Sequence, residues 1–201
     1  MNKLSTTPAT ATLLAKPLLL WLTVQLIALA IGAVGFPLSA RKPVPPETLS
    51  IQIMLVTQIA AAALLWPLLF LERRASLAVI ATAIPFAQAA AFLSVTPRGD
   101  AYAAVGLVLV WLIALGVLPA RRPGLTMILR AAVILWSIGG AIVTYLQADF
   151  SLDAIKPVGP IVYVLAALDG KSSSGAWVIA GFSVLVALAA RLLCNAIRTP
   201  R

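Results

Sequence analysis

Six apolar stretches account for nearly all of this chain, and each is about long enough to cross a lipid bilayer. The hydrocarbon core is about 30 Å thick and a helix rises about 1.5 Å per residue, so one crossing needs roughly 20 apolar residues. The sequence therefore predicts an all-α bundle of six transmembrane helices between two short tails, at residues 1–16 and 198–201. The predicted spans are residues 17–38, 49–71, 75–95, 101–118, 125–146 and 176–197.

The composition agrees with a single membrane domain. Of the 201 residues, 62% are hydrophobic and only 10% are charged, whereas soluble domains carry about 25% charged residues. The net charge of +9 does not predict nucleic-acid binding, because the basic residues stand singly or in pairs at the ends of spans. We expect these residues to contact anionic membrane lipids instead.

The residues that most enzymes use are scarce. The chain has no histidine, which excludes an imidazole base, histidine-ligated haem and histidine zinc sites. Its one cysteine, Cys194, cannot form an intramolecular disulfide. The acids Asp149 and Asp153 form an isolated pair in one loop, and Glu72 stands alone in another. We therefore expect no enzymatic activity, no metal site and no cofactor.

Charge sorts the connecting loops into two sides. With the N-terminus inside, five of the six acids fall outside, and only Glu72 falls inside. Because positive residues favour the cytoplasmic side, the pattern predicts that both termini are cytoplasmic, in a multi-pass protein of a bacterial inner membrane. Ten of the 15 basic residues then fall inside: Lys3, Lys16, Arg73, Arg74, Arg121, Arg122, Arg130, Arg191, Arg198 and Arg201.

The longest loop, residues 147–175, contains a second apolar element. Pro160 begins an apolar run that closes at Asp169 and Gly170, and proline at a helix start with glycine just past its end is a typical pattern. About ten residues cannot span the bilayer, so residues 160–169 predict an interfacial or a re-entrant helix. The segment either packs over the outer helix ends or forms a lid over a binding site, with Pro160, Tyr163 and Gly170 as the lid residues.

Three glutamines are the main polar residues inside the predicted spans. Gln25, Gln58 and Gln88 lie in the first, second and third spans, and Pro85 frees a backbone carbonyl near Gln88. An amide in hydrocarbon costs several kcal/mol unless it is hydrogen-bonded, so we expect the three side chains to meet. They either hold the helices together or line a site for a neutral or zwitterionic substrate.

Two arginines lie inside spans but near the predicted inner surface. Arg130 and Arg191 can extend to that surface, where they anchor the helices or contact an anionic headgroup or a partner's carboxylate. Trp21 and Trp66 also lie near inner ends, where lipid-facing aromatic residues commonly form a belt.

No motif in the sequence specifies a function, so the expectation rests on architecture. The absence of charge at mid-membrane and the short loops favour a non-catalytic membrane subunit that scaffolds or forms part of a larger transport or respiratory-type complex. Its expected partners are membrane lipids and other membrane protein subunits or further copies of itself. The alternative is a permease or binding component for a small solute or lipid, with the glutamine-lined site under the 160–169 lid.

Overall fold

A computed structural model describes residues 8–34, 46–66, 68–70, 73–94, 96–118, 123–150, 158–171 and 174–196. These residues form helices and short connections, with no strand among them. The helices are α1 (Pro8–Val34), α2 (Pro46–Leu65), α3 (Arg73–Phe92), α4 (Arg98–Val117), α5 (Pro123–Phe150), α6 (Pro160–Leu168) and α7 (Ser174–Ala196).

The all-α prediction is confirmed for the described residues. Five of these helices are long and apolar enough to cross a membrane, which fits a multi-pass membrane bundle, whereas the sequence predicted six spans. Their apolar windows are Lys16–Val34, Ala75–Phe92, Arg98–Val117, Thr126–Thr144 and Ser174–Leu192.

The second predicted span corresponds to α2, which is shorter than expected. Its apolar part is Leu49–Leu65, whereas the prediction ran to residue 71. The residue before a proline is disfavoured in the α conformation, and Pro67 follows closely in the sequence. The helix accordingly ends at Leu65 and the chain turns at Trp66.

Helix α1 starts earlier than predicted. It begins at Pro8, nine residues before the predicted start at Pro17. Proline fits the first turn of a helix because the first N–H groups have no helical acceptor, and α1 also continues through Pro17. The expected tail at residues 1–16 is therefore partly helical, whereas the tail at residues 198–201 lies outside the described residues.

Helix α2 lies at the centre of the bundle. It packs against α1, α3, α4, α5 and α6, and its side chains Ile51, Met54, Leu55 and Ile59 are fully buried. Because α2 is shielded from lipid by its neighbours, it can hold polar side chains such as Ser50 and Gln58, which are also buried.

Two tryptophans contribute to this core rather than to a lipid-facing belt, which corrects the expectation for Trp21 and Trp66. Both are fully buried. The Trp21 indole N–H donates to Thr82 Oγ1 over 3.1 Å, and the Trp66 indole N–H donates to the Leu115 carbonyl over 3.1 Å. An indole can be buried at little cost when its N–H finds an acceptor, and these two contacts join α1 to α3 and α2 to α4.

Helix α6 lies along α4 and against α5 and α2. Its first residues meet the middle of α5: the Val158 carbonyl approaches Gly140 so closely that a side chain there would overlap it. At the other end, Gly170 lies beside the Asp100 carboxylate, in the first turn of α4. Helix α6 therefore runs antiparallel to α4, from about half its length to its N-terminal end.

Candidate functional site

The first two predicted glutamines lie within the bundle. Gln25 and Gln58 are both buried. The Gln58 amide Nε2 donates to the Ala83 carbonyl of α3 over 2.9 Å, next to the contact between Trp21 and Thr82. Within the described part of the chain, neither amide atom of Gln25 has a hydrogen-bond partner. This polar group joins α1, α2 and α3 and leaves one buried amide without a partner.

The third glutamine does not join the other two. Gln88 is exposed on the outside of α3, five residues after Ala83. At about 100° per residue, five residues place it roughly 140° around the helix from Ala83. The expected meeting of three amides is therefore reduced to Gln25 and Gln58, and Gln88 points away from them.

Gln88 belongs to a continuous exposed surface that we call the α3 outer face, consisting of Leu77, Ala81, Ile84, Pro85, Gln88 and Phe92. Pro85 has no N–H to donate to the Ala81 carbonyl, so that carbonyl lacks its usual helical donor. Ala81 and Gln88 are seven residues apart and lie within about 20° of the same face. The outer face thus combines a side-chain amide with a backbone acceptor inside an apolar helix.

The two arginines occupy different positions. Arg130 of α5 donates from its guanidinium to the Leu64 carbonyl over 3.2 Å, in the last turn of α2. The carbonyls at a helix C-terminus have no helical donors and carry partial negative charge, so a cation there is stabilising. Arg191 is exposed near the end of α7. Arg130 is therefore placed as a helix cap, and Arg191 is the arginine that remains directed outward.

The predicted lid residues separate into two places. Pro160 and Tyr163 line a cavity of about 20 Å³, together with Leu107, Trp111, Trp136, Ala176, Ile179, Ala180 and Ser183. Gly170 lies away from this cavity, beside Asp100, near an exposed contact of 3.9 Å between Lys171 Nζ and Asp169 Oδ2. The cavity is a space between α4, α5, α6 and α7, and α6 forms one of its walls.

Trp111 is the most informative of the cavity residues that the sequence did not single out as site residues. It is only 8% exposed, and its indole N–H has no partner. The second feature is the pair Gly140 and Gly159, of which the sequence indicated only Gly140, as a small residue at a helix contact. A Cβ atom on Gly159 would lie 2.7 Å from the Trp136 carbonyl oxygen. Glycine in the middle of an apolar helix was the available signal, because it allows another backbone to approach.

Comparisons with known proteins add no further assignment. No protein-family model matches the chain, and no curated protein and no solved structure shows significant similarity to it. Among the described residues, no group of three or more histidine, cysteine, aspartate or glutamate side chains is placed to hold a metal ion.

Proposed function

We propose that this protein is a non-catalytic integral membrane subunit that binds another membrane protein through the α3 outer face, within a larger transport or respiratory-type complex. The observation that supports this most strongly is the exposure of Gln88 on a helix that is long and apolar enough to span a membrane. Gln88 makes no hydrogen bond within the part of the chain that the structure describes.

The energetic argument concerns the cost of facing lipid. An amide in hydrocarbon without a hydrogen bond costs several kcal/mol. Gln88 lies four residues, or roughly 6 Å, inside the end of α3, whereas the Ala81 carbonyl lies near the middle of the helix, where an unpaired polar group is most costly. The Ala81 carbonyl adds a second acceptor on the same face. A neighbouring helix that presents small residues and a hydroxyl or amide would satisfy both groups, and such bonds contribute about 0.6–2 kcal/mol each.

The proposal includes the membrane arrangement. We place six crossings in a bacterial inner membrane, with both termini in the cytoplasm. Support comes from the distribution of charge and from α2, whose 17-residue apolar part is surrounded by protein and need not match the hydropathy of a lipid-exposed span. Helices α1 and α3 both pack against α2, as expected if α2 crosses in the opposite direction between them.

The experiment is a purification of the tagged full-length chain in a mild detergent, with identification of any stoichiometric membrane partner. Ala81→Trp should remove the partner, because it adds a large side chain at the centre of the outer face. Gly181→Trp is the matched control, since Gly181 is exposed on α7 with open space around it. A chain that runs without a partner, or a partner that survives Ala81→Trp, would overturn the proposal.

The alternative, a permease with a glutamine-lined site under a lid, requires the glutamines and the lid at one place. Gln25 and Gln58 lie among α1, α2 and α3, whereas Pro160 and Tyr163 line the cavity among α4 to α7. The two halves of that hypothesis therefore do not share a site, and the subunit assignment is preferred.

A further inference from the structure

The cavity beside α6 is independent of the α3 outer face and has its own chemistry. It lies about halfway along α4, since Trp111 is 11 residues, or roughly 16 Å, from Asp100 in the first turn. Trp136 lines it from α5 and is 39% exposed, so this wall of the cavity is a side chain at the surface of the bundle. The walls from α7 are Ala176, Ile179, Ala180 and Ser183.

The hydrogen-bonding groups around this cavity favour an acceptor. Trp111 lines the cavity, and its indole N–H is buried and has no partner among the described residues. An indole can only donate. Pro160 is the first residue of α6 and lines the same cavity. The N–H groups of the first helical turn have no helical acceptors and form the positive end of the helix dipole. Of the hydroxyls at the cavity, that of Ser183 already donates to the Ile179 carbonyl over 2.9 Å.

The charge and size of the site restrict the ligand further. The lining residues include no lysine and no arginine, so a buried anion would have no counter-charge and would be costly. A volume of about 20 Å³ accommodates a group about the size of one water molecule. The aromatic rings of Trp111, Trp136 and Tyr163 and the aliphatic side chains offer an apolar surface next to that space.

We propose that this cavity binds a membrane-soluble apolar molecule through one neutral carbonyl oxygen, which accepts a hydrogen bond from the Trp111 indole N–H. The body of the molecule extends past Trp136 and Ala180 to the lipid-facing surface. A glycerolipid ester and a quinone ring both present such a carbonyl. Helix α6 enters the bundle to about half the length of α4, so it acts as a re-entrant wall of the site.

The test measures binding to the purified full-length protein in detergent micelles by titration calorimetry. A decyl-substituted benzoquinone and decylbenzene serve as probes, which differ in their carbonyl groups. Native mass spectrometry of protein taken from dioleoyl phosphatidylcholine vesicles measures retention of the ester. We expect at least one carbonyl probe to bind more tightly than decylbenzene, and the two measurements distinguish a quinone from a lipid.

Two variants and a control assign the binding to this cavity. Trp111→Phe keeps an aromatic ring but removes the donor, and it should weaken binding about three- to tenfold. Ala180→Trp should fill the opening and abolish binding. Trp177→Phe should leave binding within about twofold, because Trp177 packs on Gly106 between the same two helices and does not line the cavity.

The proposal is overturned if neither carbonyl probe binds, or if Trp111→Phe binds the preferred probe as tightly as the unmodified chain does. Size-exclusion profiles and helical circular dichroism verify that each variant is folded. If the Ala180→Trp variant does not fold, the comparison of Trp111→Phe with the unmodified chain still decides the proposal. None of these measurements depends on the partner proposed for the α3 outer face, so the two proposals can fail separately.

Discussion

The two halves of the molecule treat buried polar groups differently. Among α1, α2 and α3, two side chains cross between helices and donate to acceptors, as Trp21 does to Thr82 and Gln58 to the Ala83 carbonyl. The buried Gln25 amide and Ser50 hydroxyl of the same helices have no partner among the described residues, and neither of them lines the cavity beside α6. Among α4 to α7, the closest contacts are between backbones, at Gly140 and Gly159, while the Trp111 indole has no partner. The first arrangement fixes helices to one another, and the second leaves a small cavity beside α6, for which we proposed a ligand.

This comparison teaches that burial alone does not distinguish structural from functional polar residues. Trp66, directly after α2, and Trp111 of α4 are both buried tryptophans. The Trp66 N–H is used within the fold, since it donates to the Leu115 carbonyl. The Trp111 N–H is buried and has no partner among the described residues, and Trp111 lines a cavity. The variants below test the contrast in order of decreasing expected effect.

The largest effect is expected where two backbones touch. Gly140→Ala places a methyl group against the Val158 carbonyl, and overpacking of this kind costs about 1–3 kcal/mol. The matched control is Gly139→Ala, whose Cβ would meet only the Leu135 side chain, at 3.6 Å. That change should raise stability by about 0.5–1 kcal/mol, because alanine is a better helix former than glycine. Thermal unfolding in detergent compares the two, and equal shifts would show that α6 does not depend on this contact.

The two glutamines of neighbouring spans should respond in opposite directions. Gln58→Leu removes the bond to the Ala83 carbonyl and should lower the free energy of unfolding by about 1 kcal/mol. Gln88→Leu removes an amide from the exposed α3 outer face and should leave the isolated chain as stable or more stable. Denaturant unfolding of both variants in detergent measures the difference. A loss of stability for Gln88→Leu would contradict its placement on the outside.

The two buried indoles give a sharper version of the same test. Trp66→Phe removes a donor that has an acceptor and leaves the Leu115 carbonyl unpaired, so a loss of about 1 kcal/mol is expected. Trp111→Phe removes a donor without a partner and should cost less than Trp66→Phe when no ligand is present. Unfolding of both variants after thorough delipidation provides the measurement, and a larger loss for Trp111→Phe would mean that its N–H is used within the fold.

The smallest effect concerns the two arginines. Arg130→Met removes a cation from the C-terminal end of α2 and should reduce stability by about 0.3–1 kcal/mol, less at high salt because Arg130 is exposed. Arg191→Met is the control and should change the free energy of unfolding by a smaller amount. Comparing unfolding midpoints at low and high salt separates the charge effect from lost packing.

The length of an apolar run predicted the helices well, because the bilayer thickness sets that length. It predicted their ends less well. Pro17 was treated as a helix start, yet α1 begins at Pro8 and continues through it. Helix α2 ends at Leu65 because a proline follows two residues later. The apolar run continues to residue 71, so the length of the run alone did not predict this end.

The candidate sites were predicted only in part, because spacing along a helix gives depth and not direction. Gln58 and Gln88 are equally far along the chain from the turn between their helices, which suggested that they meet. Whether they do depends on which face of α3 packs against α1 and α2. The contacts at Thr82 and Ala83 show which face of α3 packs against α1 and α2, and Gln88 lies on the opposite, exposed face. The Trp111 cavity depends on residues from four helices and has no local sequence pattern.

The central position of α2 has a consequence for how the protein enters its membrane. The apolar part of α2, Leu49–Leu65, is shorter than a typical span and contains Ser50, Gln52 and Gln58, each of which reduces the gain from partitioning into lipid. Helices α1 and α3 compensate for the low hydrophobicity of α2, because both pack against it and the Ala83 carbonyl of α3 accepts a hydrogen bond from the Gln58 amide. In the six-crossing arrangement proposed above, α2 would therefore integrate together with its neighbours, and a chain shortened after residue 70 should leave this helix incompletely inserted.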